Sequence, residues 1–562
     1  MLSRVGRCIC SMFAIVASSH AVLAQDLSAP DLRPVTLTGS IVTSAENYSI
    51  PGLDTHRPTN TARMYFNPTL TLYGVSLPFS VVLSTNERSY NQPFNQFGVS
   101  PRYKSITAHA GYRSLRFSEF TLSDAVILGG GAEVDAEWLR VGAIYGRFRR
   151  AISEDTTSGI RAVYKRMGYA ASAGVGSRQN GIDIHLVHAW DDSTSIGRTP
   201  LQTSVLPEEN LTIGTTARVS MVGNRLQLDG ELAGSFLTRD LYQPAVENAD
   251  IVSVTDGIYD TRLSTRLTTA LRFGAAWNEE TWGLRAEYAR VEPEFESAGA
   301  LYIMNDREDI TIAPSLRLVE GTLRLSGSVG FRSDNLLEDR SFTTNRVIGS
   351  ANANWMPSQT FGIDANYSNY SMSNASAAIV LNDTSRVENV SESYSFAPRL
   401  SFASTSMQHF IMLFATRQLF SDRNILTGSN SDNDVLTVML SWTGSLQSGL
   451  GLQGSLQFTE VHTAFVTNII RGITAGVSHP FFENALMADL SYTLNLTQSG
   501  SASDTDTQHL VTLAGRWRIS GADALDLRFQ YNSYDASDIT RRSYDGTTTR
   551  LQYTRAFSFG TN

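Results

Sequence analysis

Histidine and carboxylate are the side chains best able to hold a metal or pass a proton, so their spacing is read first. Eight histidines lie beyond residue 24: His56, His109, His185, His188, His409, His462, His479 and His509. The closest pair, His185 and His188, is three residues apart. On a strand that spacing sends the two rings to opposite faces, a poor geometry for a shared metal. Acidic residues gather at Asp240, Asp250, Asp256 and Asp260, at Glu292, Glu294, Glu296, Asp306, Glu308 and Asp309, and at Asp334, Glu338 and Asp339. Hard cations such as Ca²⁺ want several such oxygens; the more common reading of acidic runs is a solvated loop. No His-Glu-x-x-His, phosphate-cradling P-loop or Gly-x-Ser-x-Gly elbow occurs. Gly129-Gly130-Gly131 falls in an alternating stretch, where glycines permit a bend or bulge. The expectation is therefore a protein that is not an enzyme, with no catalytic residue, no metal ligand and no cofactor.

The elements that carry these residues announce themselves by period. Leu263, Thr265, Leu267, Thr269, Leu271 and Phe273 interleave with Arg262, Ser264, Arg266, Thr268, Ala270 and Arg272. A strand puts alternate residues on opposite faces, whereas a helix would smear this pattern around its circumference. The same alternation recurs in Leu226–Phe236, Leu323–Arg332, Leu486–Leu496 and Leu525–Asn532. Each stretch is about ten residues, the length at which a tilted strand crosses the hydrocarbon layer.

Turn signals and long polar segments alternate along the chain, as in barrels with short periplasmic turns and longer external loops. The reading is all-β: a transmembrane antiparallel β-barrel of about 22 strands (22–24). Strand starts are expected near 104, 125, 138, 162, 181, 210, 225, 262, 281, 310, 322, 345, 359, 391, 407, 433, 450, 467, 485, 508, 523 and 547. Trp138, Trp190, Trp282, Trp355, Tyr492 and Trp517 suit interfacial girdles. On the face expected to line the lumen stand Arg225, Arg262, Arg266, Arg272, Arg324, Arg332 and Arg528, with Asp229, Glu231 and Asp526. Unpaired, such arginines would favour anions; paired across strands, they would stiffen the wall.

Residues 1–24 read as a secretory signal: Arg4 and Arg7, an apolar run from Ile9 to Val16, and a cleavage site after Ala24. Both cysteines, Cys8 and Cys10, lie inside it, so no disulfide staples the mature chain. Loss of Arg4 and Arg7 takes the formal net charge from −9 to −11. An acidic balance argues against nucleic acid as a partner. The expected partners are outer-membrane lipid and, through the C-terminal strand, the barrel-insertion machinery. That strand alternates Leu551, Tyr553, Phe557 and Phe559 with polar residues, and places Arg555 on the apolar face.

Residues 25–103 form a separate N-terminal segment before the barrel of 104–562. Eight of the sixteen prolines fall there, among them Pro68 and Pro78. Strand-like stretches occur near 35–43 and 69–76, and further strands are conceivable near 69–76 and 79–90. Two readings stay open: a small plug in the lumen, or first strands with a periplasmic tail. The runs Asn67-Pro68-Thr69-Leu70-Thr71-Leu72-Tyr73-Gly74, Leu77-Pro78-Phe79-Ser80, Gln92 to Lys104 and His109-Ala110-Gly111-Tyr112-Arg113 resemble the N-terminal part of large outer-membrane proteins of unassigned role in Bacteroidota-like bacteria. The resemblance spans roughly residues 65–190. It implies the fold and an outer-membrane location, and no substrate. The functional expectation is a porin-like channel or transporter for an unknown solute; the alternative is a structural barrel serving a secretion or surface-anchoring system.

Overall fold

A strand with one oily face can enter lipid only if both its edges are paired, which forces a sheet to close on itself. In the computed structural model the chain does this. The structure describes residues 35–51, 58–72, 75–85, 96–154, 160–196, 205–246, 258–340, 342–376, 387–424, 431–500, 505–538 and 541–561. The proposed leader, and Tyr73, Gly74 and Gln92–Asn95 of the resembling runs, lie outside them.

The N-terminal strands are β1 (Val35–Ser49), β2 (Asn60–Leu72), β3 (Val75–Ser84), β4 (Gln96–Val99) and β5 (Arg102–Tyr103). Then come β6 (Ile106–Arg113), β7 (Ile127–Asp135), β8 (Leu139–Arg149), β9 (Lys165–Gly176), β10 (Gly181–Asp192), β11 (Glu209–Met221) and β12 (Leu226–Thr238). They are followed by β13 (Thr265–Asn278), β14 (Trp282–Val291), β15 (Arg307–Leu318), β16 (Leu323–Ser333), β17 (Phe342–Trp355), β18 (Phe361–Ser376) and β19 (Glu388–Ala403). The last are β20 (Met407–Asp422), β21 (Asn433–Leu446), β22 (Gly451–Thr463), β23 (Thr467–Phe481), β24 (Leu486–Ser499), β25 (Thr505–Arg518), β26 (Asp523–Asp535) and β27 (Tyr544–Thr561). Each pairs antiparallel with its neighbours in sequence, and β1 closes on β27 from Val35↔Thr561 to Ser49↔Thr547. The segments β4 and β5 share one register against β3 and are two halves of a single strand, interrupted at Ser100-Pro101. The wall thus has 26 strands.

This corrects the expected count of about 22. Every strand expected from residue 104 onward is present, starting within three residues of its expected place. The added wall strands come from residues 35–103, where the described residues belong to the sheet and no plug is found among them. Proline hid them. It has no N–H to give, and pairing of β2 with β3 skips Asn67 and Pro68. The same gap recurs at Pro314 between β15 and β16, and at Pro398 between β19 and β20.

The register sorts each strand into two faces. One carries Ile182, Ile184, Leu232, Leu271 and Phe273, large apolar side chains left exposed. Trp282, Trp355 and Trp517 stand on this outer face beside short turns. Arg555 is on it too, at the short-turn end, with Nε 3.7 Å from Asp523 Oδ1. A charge at that edge of the layer costs little. The other face is small and polar and looks into the cylinder. Every buried hydrophobic residue described lies between Leu115 and Ala300, on one side of the barrel.

Candidate constriction of the lumen

Most of that buried region exists because two connections turn inward; Leu211, Phe236 and Tyr259 pack separately at the outer rim. Residues 114–126 join β6 to β7, and residues 292–306 join β14 to β15; both emerge at the end of the barrel that carries the long connections. Each brings apolar side chains that water would not favour: Leu115, Phe120 and Leu122 from the first, Phe295 from the second, all buried. Phe120 and Phe295 meet edge to face at 6.0 Å over Ala233 and Ala270 of the wall. Leu115 and Leu122 pack with Ile127, Ile144, Ala170 and Val187. Phe117 stacks on His185 at 6.1 Å.

The loops are also stitched to one another. Leu122 and Gly299 form a parallel bridge. Ser297 Oγ donates to the Thr121 carbonyl at 2.7 Å, and the Leu301 amide donates to Asp124 Oδ1 at 2.8 Å. Glycine is required where the approach is closest. A Cβ on Gly299 would lie 2.4 Å from the Thr121 carbonyl oxygen, and one on Gly214 of β11 would lie 2.5 Å from Thr121 Cγ2.

Two buried polar residues of the wall satisfy the loop backbones. Glu231, 3% exposed, accepts from the Phe120 amide at 2.7 Å and the Glu119 amide at 3.3 Å. Asn210 donates to the Glu296 carbonyl at 3.2 Å and accepts from the Ala298 amide at 2.9 Å. Without such partners, buried N–H and C=O groups would each cost about 1–3 kcal/mol.

The arginines expected to line the lumen mostly find carboxylates here. Arg272 reaches Asp229 at 3.1 Å, Glu119 of the first loop at 3.4 Å and Glu287 at 3.9 Å. Arg266 pairs with Glu294 of the second loop at 2.8 Å and Arg332 with Asp309 at 2.5 Å. Arg225, expected in the wall, lies instead in the short turn before β12, at the other end of the barrel, and meets Glu279 at 3.3 Å. Asp526 pairs with Arg516 at 3.5 Å. Arg324 and Arg528 have no carboxylate partner among the described residues. Arg262 is placed differently from the expectation: it lies in the connection before β13, not in a wall strand, and donates to the Gln243 carbonyl at 2.8 Å.

The acidic run at 292–309 is tied to the protein by hydrogen bonds and ion pairs, with Glu294 and Glu296 still partly exposed; Asp250 and Asp256 lie outside the described residues. Glu292 accepts from the Thr269 amide at 2.7 Å, Glu296 pairs with Arg239 at 3.1 Å, and Asp306 pairs with Arg340 at 2.9 Å. Among the described residues no three potential metal ligands gather. The histidine spacing reads as expected: His185 faces inward, between Ser172 at 2.9 Å and Thr216 at 3.2 Å, and His188 faces outward, between Tyr169 and Glu209. His109 likewise joins Ser100 to Glu133, each 2.9 Å away, as a brace across neighbouring strands. Above His188, at the outer rim, burial pushes the phenol of Tyr259 up to about 12.

Sequence reading missed residues 114–126 as part of a site. The available signal was Leu115, Phe117, Phe120 and Leu122 in a connection between strands, where an apolar run has to be covered by something.

What this builds is a closed membrane-type barrel with a one-sided inner ledge. No protein-family model matches the chain, and no curated protein matches it. Among solved structures, the P pilus usher (PapC) translocation pore is similar at 10% identity over 94% of this chain and 100% of that one, with a TM-score of 0.37. The ferric enterobactin receptor PfeA of Pseudomonas aeruginosa, in a mutant form, is similar at 10% identity over 93% and 80%, with a TM-score of 0.39. OccAB2 of Acinetobacter baumannii is similar at 11% identity over 93% and 98%, with a TM-score of 0.31. Likenesses this distant add nothing to the barrel assignment, which rests on the register and faces above.

Proposed function

We propose that the protein is an outer-membrane channel whose lumen is narrowed from one side by residues 114–126 and 292–306. The observation that carries this is the anchoring of both loops on the inner wall through Glu231 and Asn210. A barrel serving only as a passive wall has no need of buried polar tethers that hold a ledge across part of its bore. The leader read at residues 1–24 and the outward Tyr553, Phe557 and Phe559 of the last strand support export and recognition by the insertion machinery. The N-terminal resemblance to Bacteroidota-like proteins belongs to the same reading.

Conductance in planar bilayers tests it. Purified protein is expected to give discrete steps, and a Glu231→Ala, Asn210→Ala double variant to give larger or noisier ones as the ledge loosens. Silence in both would overturn the channel and turn the reading to a structural barrel.

A further inference from the structure

The ion pairs are unevenly distributed around the barrel, and that unevenness points to a class of solute. Under the ledge, inward arginines are neutralised by carboxylates of the wall and loops. On the rest of the inner face Arg399 and Arg516 are paired, but most are not. Arg63, Arg317, Arg324, Arg346, Arg528 and Arg550 have no carboxylate partner among the described residues. Register makes the imbalance sharper: Arg317 stands directly opposite Arg324, and Arg528 directly opposite Arg550. Like charges in direct cross-strand opposition are destabilising, so something mobile has to screen them. Nearby carboxylates are fewer than the arginines: Asp489, in the row of Ala514 and Arg528, adds one negative charge. Asp364 is taken by Arg399 at 2.6 Å and Asp526 by Arg516 at 3.5 Å. Glu46, in register with Arg550, adds one negative charge beside three guanidinium groups, those of Arg528, Arg550 and Arg63.

Resting on the channel reading, we infer that the open side of the lumen is a path for anions, and that its preferred solutes carry carboxylate or phosphate. The guanidinium fork matches both groups with paired hydrogen bonds and keeps its charge at any physiological pH. The path is set apart from the ledge, where the same residue type is spent on holding loops.

The test is the reversal potential of the full-length protein in a KCl gradient. Low salt is the informative range, because the screening length is roughly 30 Å at 0.01 M and about 8 Å at 0.15 M. The expected result is a reversal potential displaced toward that of chloride, and displaced less as salt is raised. An Arg528→Gln, Arg550→Gln variant is expected to move it toward potassium, whereas Arg417→Gln on the outer face leaves it unchanged. With wild-type protein alone, inorganic phosphate is expected to reduce the chloride current at low salt, a readout that stands even if the double variant fails to fold. Stepwise conductance with cation preference, or with no response to phosphate, overturns the inference and leaves the channel intact. Absence of any conductance overturns the channel reading itself.

Discussion

Two sides of one cylinder are built from the same strands and do different work. On the ledge side, β7–β14 present Gly142, Ala170, Gly214, Ala233 and Ala270 inward, and two loops fill the space those small residues leave. On the open side, β17–β27 present mostly Ser, Thr, Asn, Gln and Arg inward, and no described connection packs over them; of their described residues other than glycine only Thr459 and Asp506 are buried. Burial, not strand pairing, separates the two sides, since the ladder is continuous around both. The ledge side is a packed core inside a barrel, and the open side is a wall.

That comparison can be broken by substitution. The largest effect is expected from Glu231→Ala, which strips the buried Phe120 amide and the half-buried Glu119 amide of their acceptor and Arg272 of a facing carboxylate in register. Loss of a buried charged partner costs about 3–5 kcal/mol. It would show as a lowered denaturation midpoint in detergent, largely restored in Glu231→Gln. Truncating aromatic side chains contrasts the two sides directly. Phe120→Ala, at a fully buried ring, is expected to cost about 3–5 kcal/mol. Phe410→Ala, on the inner face of the open side and 37% exposed, should stay within roughly 0.5 kcal/mol. Equal costs would mean the ledge is not packed.

A charge scan sharpens the division between faces. Leu232→Arg on the outer face is expected to lose about 2–4 kcal/mol, and Ser491→Arg on the inner face of the open side almost nothing. Refolding yield into lipid vesicles reads both. The smallest effect is expected at the Thr474–Thr493 hydroxyl pair, 2.9 Å apart on the open inner face. Thr474→Val there should cost under about 1 kcal/mol. A larger loss would show that the open wall depends on polar cross-strand bonds as the ledge side does.

The strands were legible because period two survives in each of them. Leu486–Leu496 and Leu525–Asn532 needed no partner to be recognised, and even the short connection between β22 and β23 was bracketed correctly. Strands β1–β5 were legible only in part: stretches near 35–43, 69–76 and 79–90 read as strand-like, but the proline-rich segment, with Pro78 between two of them, was set apart from the barrel. In the folded wall Pro68, Pro78 and Pro101 sit at or beside gaps in the ladder that a wide barrel tolerates. The candidate site was legible only in part. Asp229, Glu231, Arg266 and Arg272 were marked as inward by alternation, but their partners Glu119 and Glu294 lie in connections with no period to read.

By itself, the amino-acid sequence determined which side of each strand meets lipid, since that depends only on a residue and its neighbours two positions away. Tertiary structure alone decided which connections fold into the bore and which arginines keep their charge free. Those outcomes rest on meetings between residues such as Phe120 and Glu231, 111 positions apart, or Thr121 and Ser297, 176 apart. No local pattern encodes such distances; closure of the cylinder brings the groups together, and desolvation then makes their pairing obligatory.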